Sequence, residues 1–414
     1  MKKIEVDIAV IGGGAAGLTA GIRCAENNCR TLVIERNEKA GGVLLQCIHS
    51  GFGVHYFNEE LTGPEYAGRL VKKAFRPGLQ LLTGTSVLSL EQLQDRHKLI
   101  LSGKDSGITE VHARAVILAM GCRERCRGNL GVPGERCAGV FNAGLAQQLI
   151  NSCGGLPGKK AVIAGSGDIG LIMARRLSWN NIKVECVVEI MPYPAGLSRN
   201  IAQCLEDFNI PLKLSYAITE IHGHERVEGV SIAPVINGIP DLSQREYIEC
   251  DTVLFSVGLI PENELAVQCG VELNPLTGGA CVDGNLMTSV RGIFACGNVL
   301  HVHDLVDFVS AEAERAADSA VKYCSNDIEE VSLIPVRPAE NVRYVVPDKV
   351  CPQEQNHFFI RSKKIMEHAL LHVEDENGME IFSRKLNFVK PAEMISFEIP
   401  GNNAKILEII LKEL

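Results

Sequence analysis

Two glycine-rich turns, each between an apolar strand and a helix, carry the clearest chemistry in this chain. The first is Gly12-Gly-Gly14-Ala-Ala16-Gly17, and the second is Gly165-Ser-Gly167-Asp168-Ile169-Gly170. In such a turn the first glycine permits a tight bend and the second lets the backbone approach a pyrophosphate. The third lets helix and strand pack closely, and the helix N-terminus offers N–H groups to the phosphates. Each turn therefore predicts a dinucleotide site.

A carboxylate follows each turn where a ribose contact is expected. Glu35 ends the strand Thr31–Glu35, and Glu189 ends the strand Val184–Glu189. The usual offset from the first glycine is about 20 residues, and both carboxylates are close to it. A lone glycine turn is a weak signal, but strand, helix and carboxylate occur together at both turns. The pattern favours two bound dinucleotides over two empty strand–turn–helix units, and hence electron transfer between them.

Glu189 also bears on the choice of dinucleotide. A carboxylate repels a 2′-phosphate, and Ile190, Met191 and Pro192 follow it without an adjacent Arg or Lys. We therefore expect NAD(H) rather than NADP(H) at the second turn. Arg199, further along the chain, is the basic residue that could still reach the ribose.

Size and charge narrow the class of protein. With 414 residues the chain is long enough for two or three domains. The net charge of −9 argues against nucleic acid or an anionic membrane surface as a partner. No apolar run approaches the roughly 18 residues of a membrane span, and Ile4–Ala20 fits the first dinucleotide unit better than a signal peptide. We expect a cytoplasmic protein.

The cysteines favour reduced thiols. The chain has 15 cysteines and no CxxC. Cys122 and Cys126 are spaced CxxxC, and no second pair completes a zinc site, so no metal is expected. A reversible disulfide between these two is the weaker alternative to ordinary thiols.

The two halves of the chain repeat beyond the turns. Each βαβ unit is followed by a meander and a closing strand that ends in glycine, Gly121 in the first half and Gly258 in the second. The first meander is predicted as Ser86–Glu91, His97–Ser102 and Ile108–Ala113, with Ala115–Gly121 as a separate closing strand. This repetition predicts an internal duplication of one nucleotide-binding domain.

The predicted fold class is α/β, with two Rossmann-like, three-layer ββα domains, the second inserted in the first, and a small C-terminal antiparallel β-domain. A helix is predicted over Val306–Tyr323, and Glu376-Asn377-Gly378 predicts a hairpin. Docking or dimerisation is the expected role of the β-domain. The expected boundaries are 1–121 and 259–330 for the first nucleotide domain, 122–258 for the second, and 331–414 for the sandwich-like β-domain.

These motifs, together with Gly292-Ile-Phe-Ala-Cys-Gly297-Asn298, resemble the pyridine nucleotide–disulfide oxidoreductase superfamily over residues 4–323. The resemblance implies FAD in the first domain and NAD(P)H in the second. The residues it implies for FAD are Gly12, Gly14, Ala16, Gly17, Glu35, Arg36, Gly42, Val87, Ala119, Gly121, Gly297 and Asn298. Those for NAD are Gly165, Gly167, Asp168, Ile169, Gly170, Glu189 and Gly258. The family usually has Asp where this chain has Asn298, which keeps a hydrogen bond but loses the charge.

The family's disulfide pattern is missing. Disulfide reductases of the superfamily carry cysteines two and seven residues past a Gly-Gly pair. After Gly41-Gly42 these positions are Leu44 and His49. Cys47 has no partner nearby in sequence, and we expect a member without a redox-active disulfide.

A closer resemblance concerns partners. Gly42–Tyr56, Gly121–Gly134 and Gly297–Asp307 resemble flavin subunits of anaerobes that accompany glycerol-3-phosphate or opine-type dehydrogenases. The resemblance implies a dehydrogenase partner, an iron–sulfur centre on a partner subunit, and a homodimer or hetero-oligomer.

The residues expected near the flavin include three catalytic candidates, Cys47, His49 and His303, because a thiol or an imidazole could transfer a proton or electrons there. For each, a structural role is the competing interpretation. Gln46 and Asp304 are expected in the same region. The leading hypothesis is an FAD-dependent, NAD(H)-linked oxidoreductase that exchanges electrons with a partner. The alternatives are a self-contained NADH oxidase or small-substrate dehydrogenase, and a non-catalytic nucleotide-binding assembly subunit.

Overall fold

The structure is a computed structural model that describes residues 2–325 and 332–414. It divides into two compact units. One comprises the chain up to Cys122 together with Pro261–Leu414, and the other is Arg123–Ile260. The boundary predicted between residues 330 and 331 lies outside the described residues.

The first unit begins with a strand–helix–strand element and a meander. Its elements are β1 (Lys2–Ile11), α1 (Ala15–Glu26), β2 (Thr31–Ile34), β3 (Ser50–Phe52), β4 (Leu61–Thr62), α2 (Gly63–Ala74), β5 (Leu79–Leu82), β6 (Thr85–Gln92), β7 (His97–Gly103) and β8 (Gly107–Leu118). A 3₁₀ turn covers Gly42–Gln46. Residues Ile8–Ile11 of β1 are all buried, as expected for a parallel strand covered on both faces.

The second unit begins with four further elements and then repeats the order of strand, helix, strand and meander. Its elements are β9 (Cys122–Glu124), α3 (Arg127–Leu130), β10 (Val140–Asn142), α4 (Ala143–Cys153), β11 (Lys160–Ala164), α5 (Asp168–Trp179), β12 (Lys183–Glu189), α6 (Ser198–Cys204), β13 (Leu212–Leu214), β14 (Tyr216–His222), β15 (Gly229–Ile236), β16 (Ile239–Pro240), β17 (Glu246–Glu249), β18 (Thr252–Phe255) and β19 (Leu259–Pro261). Strands β9 and β19, where the chain passes from one unit to the other, pair with each other.

The chain then completes the first unit and adds the C-terminal domain. The elements are α7 (Glu264–Gln268), β20 (Ile293–Ala295), α8 (Val306–Cys324), β21 (Ile334–Pro338), β22 (Val342–Val346), β23 (Lys349–Val350), β24 (Asn356–Ser362), β25 (Met366–Glu374), β26 (Glu380–Val389), β27 (Ile395–Ile399) and β28 (Leu407–Glu413). Helix α8 matches the predicted helix within one residue at its C-terminal end. Among the described helices, none combines the length and apolar character needed to cross a bilayer.

Both nucleotide domains are built on parallel strands, to which the first sheet adds the antiparallel strands β7 and β6. The first sheet has the order β5-β2-β1-β8-β7-β6, with β20 also paired to β8. The second has the order β10-β18-β11-β12-β13, and all its pairs are parallel. In each sheet the strand before the glycine turn is central and lies beside the closing strand. The predicted fold class is confirmed.

The first closing strand differs from its prediction. Ile108–Ala113 and Ala115–Gly121 were expected as two strands, but β8 is one continuous strand. Parallel pairing with β1 runs along most of its length. Its other edge is shared, because residues 107–113 pair with β7 and residues 116–118 with β20. In the second unit the corresponding strands β17 and β18 are separate. The break falls at Asp251, whose carboxylate accepts the backbone N–H groups of Lys159 and Lys160.

The C-terminal domain contains two sheets, β23-β21-β28-β25-β26 and β22-β24-β27. All pairs are antiparallel except β21 with β28. The predicted hairpin is confirmed, since β25 and β26 pair around a turn in which Asp375 accepts from the N–H groups of Asn377 and Met379. The buried Phe358 ring stacks on Phe397 at 5.5 Å.

This packing yields a stability prediction. Phe358 is fully buried, whereas Phe388 in the same domain is 52% exposed. Phe358→Ala should lower the stability of the domain by about 3–5 kcal/mol, because it leaves a cavity. Phe388→Ala, the matched control, should change it by less than about 0.5 kcal/mol. Amide hydrogen exchange of peptides from residues 332–414 measures the loss of stability in both variants. Equal protection in the two variants would contradict this assignment of the core.

Candidate functional site

The first glycine turn, Gly12–Gly17, packs closely against the end of β8. Gly12 has φ +108°, and a methyl group there would lie 2.3 Å from the Ala119 carbonyl oxygen. A methyl group at Gly17 would lie 1.7 Å from the Gly12 carbonyl oxygen. Only hydrogen fits at these two positions, so the turn stays tight and α1 stays close to the sheet.

The middle of the same turn is less crowded than its two ends. Around Gly14, the N-cap of α1, the nearest described atom to an added methyl group would be the Gly42 Cα at 3.8 Å. No acidic residue lies in the first turn of α1, and no side chain caps it. The N–H groups at this end are therefore not capped by a side chain, which suits a turn that binds a pyrophosphate.

Glu35 lies at the edge of this turn and is 5% exposed. Its carboxylate accepts the N–H of Gly13 at 2.8 Å and the N–H of Asn37 at 2.7 Å. These bonds hold the side chain at the end of β2, where a ribose would follow the pyrophosphate. Arg36 beside it is exposed.

The return segment closes the first site. Gly297 has φ +72°, and a methyl group there would lie 2.9 Å from Ala16 Cβ and 3.1 Å from Val309 Cγ1. The segment therefore fits between α1 and α8. Asn298 follows in a 3₁₀ turn, where its Oδ1 accepts the N–H of His303 at 3.0 Å and its Nδ2 faces Cys122 Sγ at 3.7 Å. The structure thus brings together the predicted glycines of the turn, Gly42, Ala119 and Gly297. Val87 is half-buried on β6.

The second turn has the same geometry. A methyl group at Gly165 would lie 2.1 Å from the Ser256 carbonyl oxygen, and one at Gly170 would lie 2.6 Å from the Gly165 carbonyl oxygen. Glu189 accepts the N–H of Ser166 at 2.9 Å and that of Met191 at 3.0 Å. This pair of bonds repeats the pair that Glu35 makes in the first unit.

Two residues that sequence reasoning missed complete this second site. Ser166 is fully buried, and its hydroxyl donates to Glu189 at 2.6 Å. Ser256 presents its carbonyl to Gly165 as Ala119 does to Gly12, two residues before the closing glycine in each half. Alignment of the two halves would have identified Ser256. Asp168, in the first turn of α5, accepts from Leu197 N and Asn200 Nδ2, so its charge is held by the following segment.

The loop with the candidate residues Cys47 and His49 is tied to α8. Asp307 accepts the N–H of Gly53 at 2.9 Å and the N–H of His55 at 2.8 Å. Asp307 is 4% exposed and was not predicted from the sequence, because its partners lie some 250 residues away in the chain.

The catalytic candidates have different surroundings. Cys47 donates to the Val43 carbonyl, and burial raises the pKa of its thiol to about 12. His49 is partly exposed, and its Nδ1 lies 3.0 Å from the Ser50 carbonyl oxygen. His303 has a fully buried side chain whose Nε2 lies 3.1 Å from Glu312. Their catalytic roles stay predictions.

The cysteines of the described residues form no disulfide. Cys126 is exposed, and backbone N–H groups at Asn129 and Gly128 lower the pKa of its thiol.

One further cluster contains metal-ligand types. His301, His303 and Glu312 are fully buried, and one ligand atom from each lies within 4.8 Å of the others. Both imidazole Nε2 atoms are at hydrogen-bond distance from the carboxylate, 2.8 Å for His301 and 3.1 Å for His303. The Glu312 carboxylate also accepts the Gly297 N–H at 2.6 Å.

Several known proteins are similar to this chain. The hydrogen cyanide synthase subunit HcnB of Pseudomonas protegens is 26% identical over 66% of this chain and 60% of its own length. A thioredoxin reductase of Mycolicibacterium smegmatis is 29% identical over 76% of this chain and 92% of its own. A subunit of the alkyl hydroperoxide reductase of Staphylococcus epidermidis is 25% identical over 72% of this chain, which spans only 54% of that relative.

Solved structures have the same fold. Thioredoxin reductase of T. acidophilum superposes with a TM-score of 0.63 at 25% identity, covering 78% of this chain and 99% of its own. The Lactococcus lactis thioredoxin reductase gives a TM-score of 0.65 at 21% identity, with the same coverage.

A family model matches the same part of the chain. It extends over residues 6–320, which include both glycine turns, both carboxylates and the return segment. The family is that of FAD- and NAD(P)-dependent oxidoreductases, so the chain is an enzyme of that kind. The chain belongs to the pyridine nucleotide-disulphide oxidoreductase family.

Proposed function

We propose that this enzyme moves a hydride between NAD(H) and FAD and exchanges the electrons with a partner dehydrogenase subunit, without a redox-active disulfide. The observation that carries the proposal is the equivalence of the two turns. Each has a glycine that only hydrogen can occupy and a buried glutamate held by two backbone N–H groups. A chain with two such sites is suited to binding a donor and an acceptor of hydride.

The protein's own task in this reaction is binding and orientation. When bound, FAD and NAD(H) supply the redox chemistry. The N-termini of α1 and α5 would hold the pyrophosphates, and Glu35 and Glu189 would bind the adenosine riboses. The 3₁₀ turn Gly297–Val299 supports the flavin end of the first site. None of these roles requires a protein acid or base.

The preference for NAD(H) rests on Glu189. Its carboxylate is fixed by Ser166 and Met191 and cannot turn away from a 2′-phosphate. Ile190 and Met191 beside it are exposed and uncharged. A 2′-phosphate would therefore meet a fixed negative charge, and Ile190 and Met191 offer no cation to offset it.

The disulfide-free proposal rests on two observations. Leu44 and His49 occupy the positions where the family's reductases carry cysteines. The high pKa of the Cys47 thiol leaves little thiolate at neutral pH, and the thiolate is the reactive form. The partner proposal rests on the names of the relatives, since HcnB and the alkyl hydroperoxide reductase relative are both subunits of larger enzymes by name.

The function is tested by an anaerobic titration of the flavin-loaded protein with NADH. One NADH per flavin should remove the visible flavin absorbance, and the number of alkylatable thiols should stay the same before and after reduction. Cys47→Ser, the control, should reduce at the wild-type rate within about twofold.

Two results would contradict this function. New thiols after reduction would indicate a redox-active disulfide. Sustained NADH consumption in air without any partner would instead favour a self-contained oxidase.

The preference for NAD(H) is tested by adding a cation beside Glu189. Ile190→Arg should raise kcat/KM for NADPH by about three- to tenfold, because a guanidinium can bind the 2′-phosphate. Ile239→Arg, on another exposed isoleucine of the same unit, is the matched control. The rates of anaerobic flavin reduction by NADPH and by NADH, measured for each variant, give the preference between the two nucleotides. A wild-type enzyme that uses NADPH as well as NADH would refute the preference.

A further inference from the structure

Glu312 is a buried carboxylate with no role in the sequence-based predictions. It lies in the second turn of α8, and its side chain is fully buried. It accepts hydrogen bonds from Gly297 N at 2.6 Å, His301 Nε2 at 2.8 Å and His303 Nε2 at 3.1 Å. Burial alone would raise the pKa of Glu312, but the two histidines and their hydrogen bonds keep it well below its ordinary value. The group is therefore a stabilised anion.

His301 acts here as a neutral donor. Burial lowers the pKa of His301 to about 4. A neutral imidazole that donates from Nε2 to a carboxylate keeps a lone pair on Nδ1. Neither the His301 nor the His303 Nδ1 atom has a hydrogen-bond partner among the described residues. This tautomer fits the geometry at His301.

A metal fits this cluster less well than the hydrogen bonds do. Histidines that bind a metal usually donate their second ring N–H to an acceptor. If both Nε2 atoms bound a metal, both Nδ1 atoms would carry a hydrogen, and neither has an acceptor among the described residues. The Gly297 N–H and the half-buried cation Arg315 also interact with Glu312.

The anion acts on the segment that closes the FAD site. Gly297 packs closely between α1 and α8, which restricts its backbone. Its N–H donates to Glu312 from this restricted position. The same loop is tied again by Asn298 and the His303 N–H. Removing the carboxylate would leave three buried donors without an acceptor directly behind the flavin-binding turn.

The C-terminal domain covers this network from the other side. The Phe359 ring lies 5.0 Å from the His301 ring and 5.4 Å from the His303 ring. Arg361 donates to the Val302 carbonyl at 3.1 Å and bonds to Asp304, which also accepts the Met394 N–H at 2.7 Å. Strand β24 and the loop before β27 thus hold loop 301–304.

We propose that Glu312 is a positioning residue of the FAD site and that the C-terminal domain locks it in place through Phe359 and Arg361. Glu312 fixes the Gly297–Val299 turn and contributes a negative charge behind it. The domain is thereby part of the flavin site and more than a docking module. The inference rests on the proposed function of the first turn as the FAD site.

The test compares Glu312→Gln with Asp318→Asn on the same helix. Asp318 pairs instead with Arg23 of α1 at 2.7 Å. In Glu312→Gln, the dissociation constant of FAD should rise at least about tenfold, since a charged acceptor of buried donors is lost. The midpoint potential of the bound flavin should become more positive, because the reduced flavin no longer faces that charge. Asp318→Asn should change FAD affinity by less than about twofold.

The contribution of the C-terminal domain is tested by comparing Arg361→Met with the control Arg384→Met. Arg384 is exposed in the same domain and donates to the Ser396 carbonyl. Arg361→Met should weaken FAD binding and speed hydrogen exchange in peptides covering 297–305, with residues 366–389 still protected. Arg384→Met should do neither.

The outcomes separate this inference from the function. A wild-type chain that binds no FAD would contradict both the proposed function and the role of Glu312. A wild-type chain that binds FAD, with a folded Glu312→Gln of equal affinity and equal potential, defeats the inference alone. Stoichiometric zinc or iron in the wild-type protein, lost in Glu312→Gln, would also overturn it, because Glu312 would then be a metal ligand.

Discussion

The rest of this structure depends on one close contact, made twice. In each nucleotide domain the glycine that starts the phosphate turn lies against a carbonyl of the closing strand, Ala119 for Gly12 and Ser256 for Gly165. This contact requires the closing strand to lie beside the first strand, which fixes the order of both sheets. It also brings the helix N-terminus to the edge of the sheet, where a phosphate can reach it. The meander and the return segment are arranged around that contact.

Much of this was predictable from the sequence because the signals are local. Glycine spacing, apolar strands and the carboxylates Glu35 and Glu189 lie within short segments, and the repetition of the pattern indicated the duplication. The hairpin at Asn377 was predicted from three residues. The continuity of β8 was not predictable, because no sequence pattern indicates that a strand exchanges one neighbouring strand for another at residue 114. Its length is set by β1, which pairs along most of it.

The supporting residues escaped prediction for a related reason. Sequence patterns do not reveal contacts with backbone N–H groups or with residues far away in the chain. The contacts of Asp307, Glu312 and Ser166 are of these kinds. Glu312 has the pattern of an ordinary polar residue of an amphipathic helix, yet it is fully buried. His303 was expected near the flavin as a catalytic candidate. Its side chain binds this carboxylate, and its catalytic role stays a prediction. The C-terminal domain was expected to serve in docking or dimerisation, and its contacts with loop 301–304 give it a place in the proposed flavin site as well.

The most direct test of two independent dinucleotide sites is the binding stoichiometry of Gly12→Ala and Gly165→Ala. Equilibrium dialysis should give one FAD and one NAD per wild-type chain. Gly12→Ala should lose FAD and keep NAD, and Gly165→Ala should lose NAD and keep FAD, because each methyl group strikes the carbonyl of its own closing strand. Loss of both ligands from one substitution with the other unit still folded, or full retention in either variant, would contradict the assignment.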